Sequence, residues 1–221
     1  MAAALYASGL SYQQIEPLAI SVSEFELLDL VFSRQGVVNG KALAAWVREV
    51  TGGRQIGELP VPLGIAVTDL VEGRALLIVD GDLGEAVQAS ASVPGTVVPV
   101  HSRGTIYVDG GVLTVLPVRF ARAMGANIVI GVDIYCGKHP DPRGNAIDTL
   151  LKSFRLQTCA LGDAEAAEAD FLIRPGFEPT SPTSFSQRDE AVLAGYQAMK
   201  AELPALLIRM AQPEGGGKSD Q

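Results

Sequence analysis

The sequence predicts an α/β fold, a mostly parallel sheet with helices on both of its faces. Short apolar runs alternate with segments of helical period, small apolar residues are abundant, and aromatic residues make up only 6% of the composition. The 221 residues suit one domain, and 48% of them are apolar, so the chain can bury a sizeable core. We expect one α/β domain over residues 1–211 and a disordered, polar, glycine-rich tail at 212–221.

The helices are predicted from apolar spacing and from capping residues. A short helix at 2–8 begins without a cap and ends before Gly9, and Ser11 can cap the next helix, which begins YQQIEPLA. Pro117 suits the first turn of a later helix. The other segments of helical period are 21–32, 41–53, 82–92, 116–126, 145–162 and 187–209.

The strands are predicted from short apolar runs that end in glycine, proline or aspartate. NIVIGVDI, at 127–134, is the strongest buried strand of the sequence. The other predicted strands are PLGIAVTDL at 62–70, RALLIVDG at 74–81, TIYV at 105–108 and ADFLIRP at 169–175.

Composition and charge exclude several classes of function. The net charge is −8 with no basic cluster, which disfavours nucleic-acid binding. The two cysteines, Cys136 and Cys159, have no CxxC spacing and suggest neither a zinc site nor a disulfide framework, which fits a reducing cytosol. No pair of histidines has metal-ligand spacing, and no apolar stretch is long enough to span a membrane.

The segment YVDGGVLTVLPV places Asp109 directly after a predicted strand. In an open parallel sheet, ligands bind at the edge where the strands end, so Asp109 is a candidate positioned carboxylate. Gly110 and Gly111 would allow close approach of backbone or substrate, and positive φ. A turn residue that caps the following helix would have the same spacing, and spacing alone favours that alternative.

Other polar residues have simpler structural explanations. Asp69 suits turn capping and Asp133 suits a loop anchor, although a ligand contact is an alternative for Asp133. Serines among alanines usually indicate close packing, and the histidines lack an acidic or serine partner, so we interpret these as packing and surface residues: Ser90, Ser92, His101 and His139. The sequence contains no G-x-S-x-G and no dinucleotide fingerprint.

Several motifs together resemble the bacterial branch of the patatin-like phospholipases. They are ALYASG, QGVVNGKAL, VPLGIAVTDLVEGRALLIVDGDLGEAVQASASVPGTVVPV, IYVDGGVLTVLPVRFARAMGANIVIGVDI and AEADFLIRP, in this order from about residue 2 to about 210. The D-G-G followed by L-P-V is the most specific.

The resemblance implies a serine acyl hydrolase that uses a Ser–Asp dyad without metal or organic cofactor. Asp109 matches the dyad aspartate, and Gly110 and Gly111 form the loop that supports it. The implied substrate is a lipid or other acyl ester, with at most peripheral contact to a membrane. A carboxylate can act as the base if it is held near the serine hydroxyl and partly desolvated.

The resemblance also implies that the G-x-S-x-G nucleophile elbow, the oxyanion loop and the first strands would precede Met1. We therefore expect the 221 residues to be inactive by themselves and poorly soluble or marginally folded. A non-catalytic pseudoenzyme or a lipid-binding fragment is the alternative. Thr114 and Val115 stand where the family often has asparagine, which puts the polar contacts of this loop in doubt.

Overall fold

A computed structural model describes residues 1–102, 104–136, 145–177 and 186–212. His139 and nearly all of the predicted tail, residues 213–221, lie outside the described residues. The helices of the described residues are α1 (Ala2–Ala7), α2 (Tyr12–Ser21), α3 (Glu24–Leu27), α4 (Lys41–Thr51), α5 (Leu83–Ser90), α6 (Val118–Ala123), α7 (Ala146–Ala166) and α8 (Arg188–Ala211). The strands are β1 (Ile65–Asp69), β2 (Arg74–Ile78), β3 (Val100–Ser102), β4 (Thr105–Asp109), β5 (Ile130–Val132) and β6 (Phe171–Ile173).

The four-stranded sheet corrects the prediction of a mostly parallel sheet. Its strand order is β2-β1-β4-β3, and all three pairings are antiparallel. In the described residues, parallel pairing is found in the two-stranded sheet of β5 and β6. The fold is therefore α/β, with helices around a mainly antiparallel set of strands.

Connection length explains two of the three antiparallel pairings, β1 with β2 and β3 with β4. Four residues, 70–73, join β1 to β2, and two residues join β3 to β4. Parallel neighbours need a crossover of about a dozen residues or more, so these short connections can only form hairpins. β5 and β6 have such a crossover, because α7 lies between them in the chain.

Strand β5 is shorter and more exposed than its sequence predicts. It covers only three residues, and Ile130 and Val132 are both exposed while Gly131 is buried. An apolar run thus predicted a strand here but not its degree of burial.

The segment 21–32 also differs from its predicted helix. Helix α3 covers only Glu24–Leu27, and Leu30 then pairs with Val38 in an isolated bridge. The Asp29 carboxylate accepts hydrogen bonds from the N–H groups of Gly40 and Ala42, at the start of α4. Asp29 therefore caps helix α4 and does not continue a helix of its own, although the apolar spacing of this segment is helical.

A disulfide joins Cys136 to Cys159, with a Cα–Cα distance of 5.4 Å. The sequence suggested no disulfide framework, and the structure corrects this with one bond. The sequence separation of 23 residues carried no signal, because α7 must first fold back over the loop after β5 before the two cysteines meet. The bond also removes the cysteine argument for a reducing compartment.

Helix α5 packs against the sheet that carries Asp109. Its buried residues Leu83 and Val87 pack in one cluster with Val47 of α4, and Ala89 packs with Val67 of β1.

In the described part of the chain, none of the helices has the length and apolar character needed to cross a membrane.

Candidate active site

Asp109 is the last residue of β4 and precedes a 3₁₀ turn at Gly110–Val112. Its backbone N–H donates to the carbonyl oxygen of Ser92 at 3.0 Å, and its Oδ1 accepts from the N–H of Gly111 at 2.7 Å. Among the described residues, hydrogen bonding to this carboxylate is confined to Oδ1.

Burial raises the pKa of the Asp109 carboxyl, and the hydrogen bond from Gly111 only partly opposes this effect. The side chain is half-buried, and a less hydrated carboxylate binds a proton more strongly. A carboxylate with a raised pKa is a better general base near neutral pH than an ordinary exposed aspartate.

Gly110 allows the close approach expected of the D-G-G segment. A Cβ at this position would lie 2.5 Å from the carbonyl oxygen of Ala66 in β1. At Gly111 a Cβ would meet the Oδ1 of Asp109 at 3.1 Å. Neither glycine has a positive φ, so a left-handed backbone does not explain why glycine occupies these two positions.

Thr114 supplies the polar contacts that were in doubt for the loop after D-G-G. Its hydroxyl donates to Oε1 of Glu165, and the N–H of Leu116 donates to Oε2 of the same residue at 2.9 Å. The backbone N–H of Thr114 also donates to the carbonyl oxygen of Gly110 at 2.8 Å. Glu165 lies on α7, so a helix distant in sequence holds this loop; no local motif marked Glu165.

The other strand-terminal aspartates are structural, as predicted. Asp69 accepts from the N–H groups of Val71 and Glu72 at 2.9 and 3.1 Å, which caps the turn after β1. Asp133 accepts from the N–H groups of Tyr135 and Cys136, which confirms the loop anchor.

Sheet topology separates Asp69 from Asp109. Because β1 and β4 are antiparallel, Asp109 lies opposite Val67, and Asp69 lies opposite Tyr107. The argument that Asp109 lies at the ligand-binding edge of a parallel sheet therefore does not apply. Its candidacy depends on its own burial and contacts.

Three serines, Ser8, Ser11 and Ser92, have structural contacts. The hydroxyls of Ser8 and Ser92 are held by helix carbonyls, those of Ala4 and Gln88, both at 2.8 Å. Ser92 is fully buried, and Ser11 interacts with the side chain of Gln14 at the start of α2. His101 lies exposed on β3, as expected for a surface residue.

Two concave regions of the described surface have room for a small ligand. A cavity of about 320 Å³ lies between α2 and α8, and one of about 120 Å³ lies beside α5. Neither is lined by Asp109. Within the described ranges, no three His, Cys, Asp or Glu side chains are grouped so that they could hold a metal ion.

Residues 1–122 match the family model described as Patatin-like phospholipase. The match covers more than half of the 221 residues and includes Asp109, Gly110 and Gly111. The chain belongs to the patatin-like phospholipase family.

Two curated relatives that are similar in sequence to this chain are longer proteins. An uncharacterized NTE family protein of Mycobacterium tuberculosis is 31% identical over 146 residues, which are 65% of this chain and 41% of that protein. The patatin-like phospholipase domain-containing protein 7 of Rattus norvegicus is 31% identical over 228 residues, covering 88% of this chain and 17% of that protein. The chain therefore spans less than half the length of the curated relatives it matches.

Proposed function

We propose that the chain is the base-bearing part of a serine acyl hydrolase that cleaves lipid or other acyl esters with a Ser–Asp dyad. The observation that carries the proposal is Asp109: a half-buried carboxylate with a raised pKa, oriented by the Gly111 N–H within the family match. The nucleophile would be the serine of a G-x-S-x-G elbow, a sequence that the 221 residues do not contain.

In this mechanism Asp109 accepts the proton of the serine hydroxyl as the serine oxygen attacks the ester carbonyl. The alcohol leaves with that proton, and the acyl group remains on the serine. Asp109 then takes a proton from water, the resulting hydroxide attacks the acyl-enzyme, and the serine oxygen leaves with the proton to release the fatty acid.

The buried or capping positions of Ser8, Ser11 and Ser92 support an external nucleophile. Each of the three is engaged in a helix or its cap, and Ser8 and Ser92 are buried. An attacking serine must instead present its oxygen to the substrate at a strand-to-helix turn.

The cytoplasmic location predicted from the cysteine count stays a prediction. The Cys136–Cys159 disulfide counts against its original reasoning, because disulfides persist mainly in oxidising compartments.

Labelling with a fluorophosphonate probe tests the proposal. Reading the codons upstream of Met1 establishes whether an in-frame G-x-S-x-G exists, and a polypeptide extended to include it should label at the elbow serine. The 221-residue chain should not label.

The matched variants change two strand-terminal aspartates, Asp109 and Asp69. Asp109→Asn should abolish labelling of the extended polypeptide, whereas Asp69→Asn, which alters a turn cap, should retain it per folded molecule. Undiminished labelling of Asp109→Asn would refute the dyad. An upstream stop codon together with lipid binding would favour the alternative, a non-catalytic lipid-binding fragment or pseudoenzyme.

A further inference from the structure

The turn after β4 sets the direction of the Asp109 carboxylate. The N–H of Gly111 in this turn donates to Oδ1 of Asp109 at 2.7 Å. The carbonyl oxygen of Gly110 accepts from the N–H groups of Leu113 at 3.1 Å and Thr114 at 2.8 Å, and these two bonds close the turn. A group that fixes Thr114 therefore also restrains the turn that carries the Gly111 N–H.

Glu165 of α7 binds the segment that follows this turn, residues 114–116, at two points. Its Oε1 accepts from the Thr114 hydroxyl, and its Oε2 accepts from the N–H of Leu116 at 2.9 Å. Thr114 and Leu116 are both buried, so their donors need acceptors within the protein. A single carboxylate from a distant helix supplies both acceptors.

Helix α7 also packs closely against the same segment. Gly162, one turn before Glu165, is buried, and a Cβ at this position would lie 3.3 Å from the Cβ of Val115. Ala166 packs in one cluster with Leu116. Because positions 162, 165 and 166 share one face of a helix, Glu165 adds directional hydrogen bonds to an existing close contact.

Helix α7 is itself fixed to the two-stranded sheet. The Cys136–Cys159 disulfide joins it to the loop after β5. Nη2 of Arg174, directly after β6, pairs with Oδ1 of Asp163 at 2.9 Å. Both anchors lie less than about two helical turns from Glu165, so its carboxylate projects from a restrained part of the helix.

We propose that Glu165 is a positioning residue for Asp109: by holding Thr114, it restrains the turn that orients the carboxylate. This rests on the proposed role of Asp109 as the base of a Ser–Asp dyad. Glu165 lies outside residues 1–122, so the family match does not assign it. Without Glu165 the turn would still contact β1, but it would lose its restraint on the α7 side. A base that is free to turn away spends less time in the reactive geometry.

The amide proton of Gly111 reports this restraint by NMR in the 221-residue chain. Because Gly111 donates to Asp109, its chemical shift should follow ionisation of the carboxylate, and Asp109→Asn should remove that response. Glu165→Ala should largely abolish the response in the folded protein, because the released turn no longer keeps the N–H on the carboxylate. Glu165→Gln should retain it, since the amide can accept from the Leu116 N–H and donate to the Thr114 hydroxyl oxygen.

The matched control is Glu168→Ala, which removes a carboxylate in the turn after α7. The ion pair of Glu168 with Arg119 is exposed, so the Gly111 response should equal that of the wild type. A full Gly111 response in folded Glu165→Ala, or an equal loss in Glu168→Ala, would overturn the proposal.

Thr114→Val tests the same point if Glu165→Ala does not fold. Valine has nearly the shape of threonine, and this variant removes one of the two bonds to Glu165 while the Leu116 N–H keeps the other. The pH response of the Gly111 amide should be smaller than in the wild type. An undiminished response in Thr114→Val would show that Glu165 does not restrain the turn through Thr114.

Fluorophosphonate labelling separates this inference from the proposed function. In the polypeptide extended to include the elbow, Glu165→Ala should slow labelling per folded molecule roughly tenfold or more, because a misplaced catalytic group loses rate steeply. Glu165→Gln should label faster than Glu165→Ala, and an equal rate in Glu165→Ala and the wild type would contradict the positioning role. Absence of labelling in the extended wild type would overturn the proposed function, and the Gly111 measurement, which needs no nucleophile, would still decide whether Glu165 restrains the turn.

Discussion

At the scale of single residues, Gly110 makes the closest backbone approach in the D-G-G segment. We expect Gly110→Ala to destabilise the fold by about 2 kcal/mol, because its Cβ would overlap the Ala66 carbonyl oxygen and push the 3₁₀ turn from β1. Urea denaturation would measure this change.

The control for Gly110→Ala is Gly111→Ala, whose Cβ meets only the Asp109 carboxylate at 3.1 Å. A side-chain oxygen can shift more easily than a strand carbonyl, so this variant should lose less stability. Equal losses in the two variants would contradict the account of Gly110.

The ionised carboxylate of Asp109 should reduce the free energy of unfolding at neutral pH. Burial raises its pKa in the folded state, so its favourable contribution is complete below the unfolded-state pKa and is lost as the pH rises through the folded-state pKa. We therefore expect Asp109→Asn to be more stable than the wild type at pH 7, with the difference disappearing in acid. Paired urea denaturations at neutral and acidic pH would measure it.

Asp133→Asn should change the free energy of unfolding in the opposite direction. Burial raises the pKa of Asp133, but hydrogen bonds from the Cys136 N–H, Arg174 and the Tyr135 N–H outweigh this, and the net pKa is lowered. Its contribution is present above the unfolded-state pKa and is lost as the pH falls through the folded-state pKa. Asp133→Asn should thus be less stable at pH 7; a loss of stability in both variants would contradict the assignment of Asp109.

At the scale of elements, α7 holds the loop after D-G-G through one carboxylate. Glu165→Ala should cost about 2 kcal/mol in the free energy of unfolding, because the Thr114 hydroxyl and the Leu116 N–H both lose their acceptor. Glu168→Ala, in the turn that follows this helix, is the control, since its ion pair with Arg119 is exposed and should change stability little. Similar losses in the two variants would contradict the role of Glu165 as the acceptor for this loop.

The sheet shows the same dependence on partners distant in sequence. β1 and β4 were both predicted from their apolar runs, yet their antiparallel pairing joins strands that lie far apart in the sequence. A strand pattern indicates which residues are extended. Connection length and packing decide direction and neighbours.

At the scale of the whole molecule, the disulfide links the loop after β5 to α7. Reduction should lower the free energy of unfolding by about 3 kcal/mol, the value expected when a loop of 23 residues loses its cross-link. Denaturation with and without a thiol reductant would measure the loss. Cys136→Ser is the control, because reductant should not change its stability; an equal response in this variant would show that the bond does not form.

The sequence by itself determined the family, the positions of most helices and strands, and the aspartate at the centre of the candidate site. These follow from local signals: apolar period, caps such as Ser11, and the D-G-G segment around Asp109. The tertiary structure alone decided the strand directions, the disulfide, and the contacts of Glu165 with the loop after D-G-G. The physical reason is that these depend on α7 folding back against segments distant from it in sequence, or on which strands meet, and no short stretch of sequence encodes either.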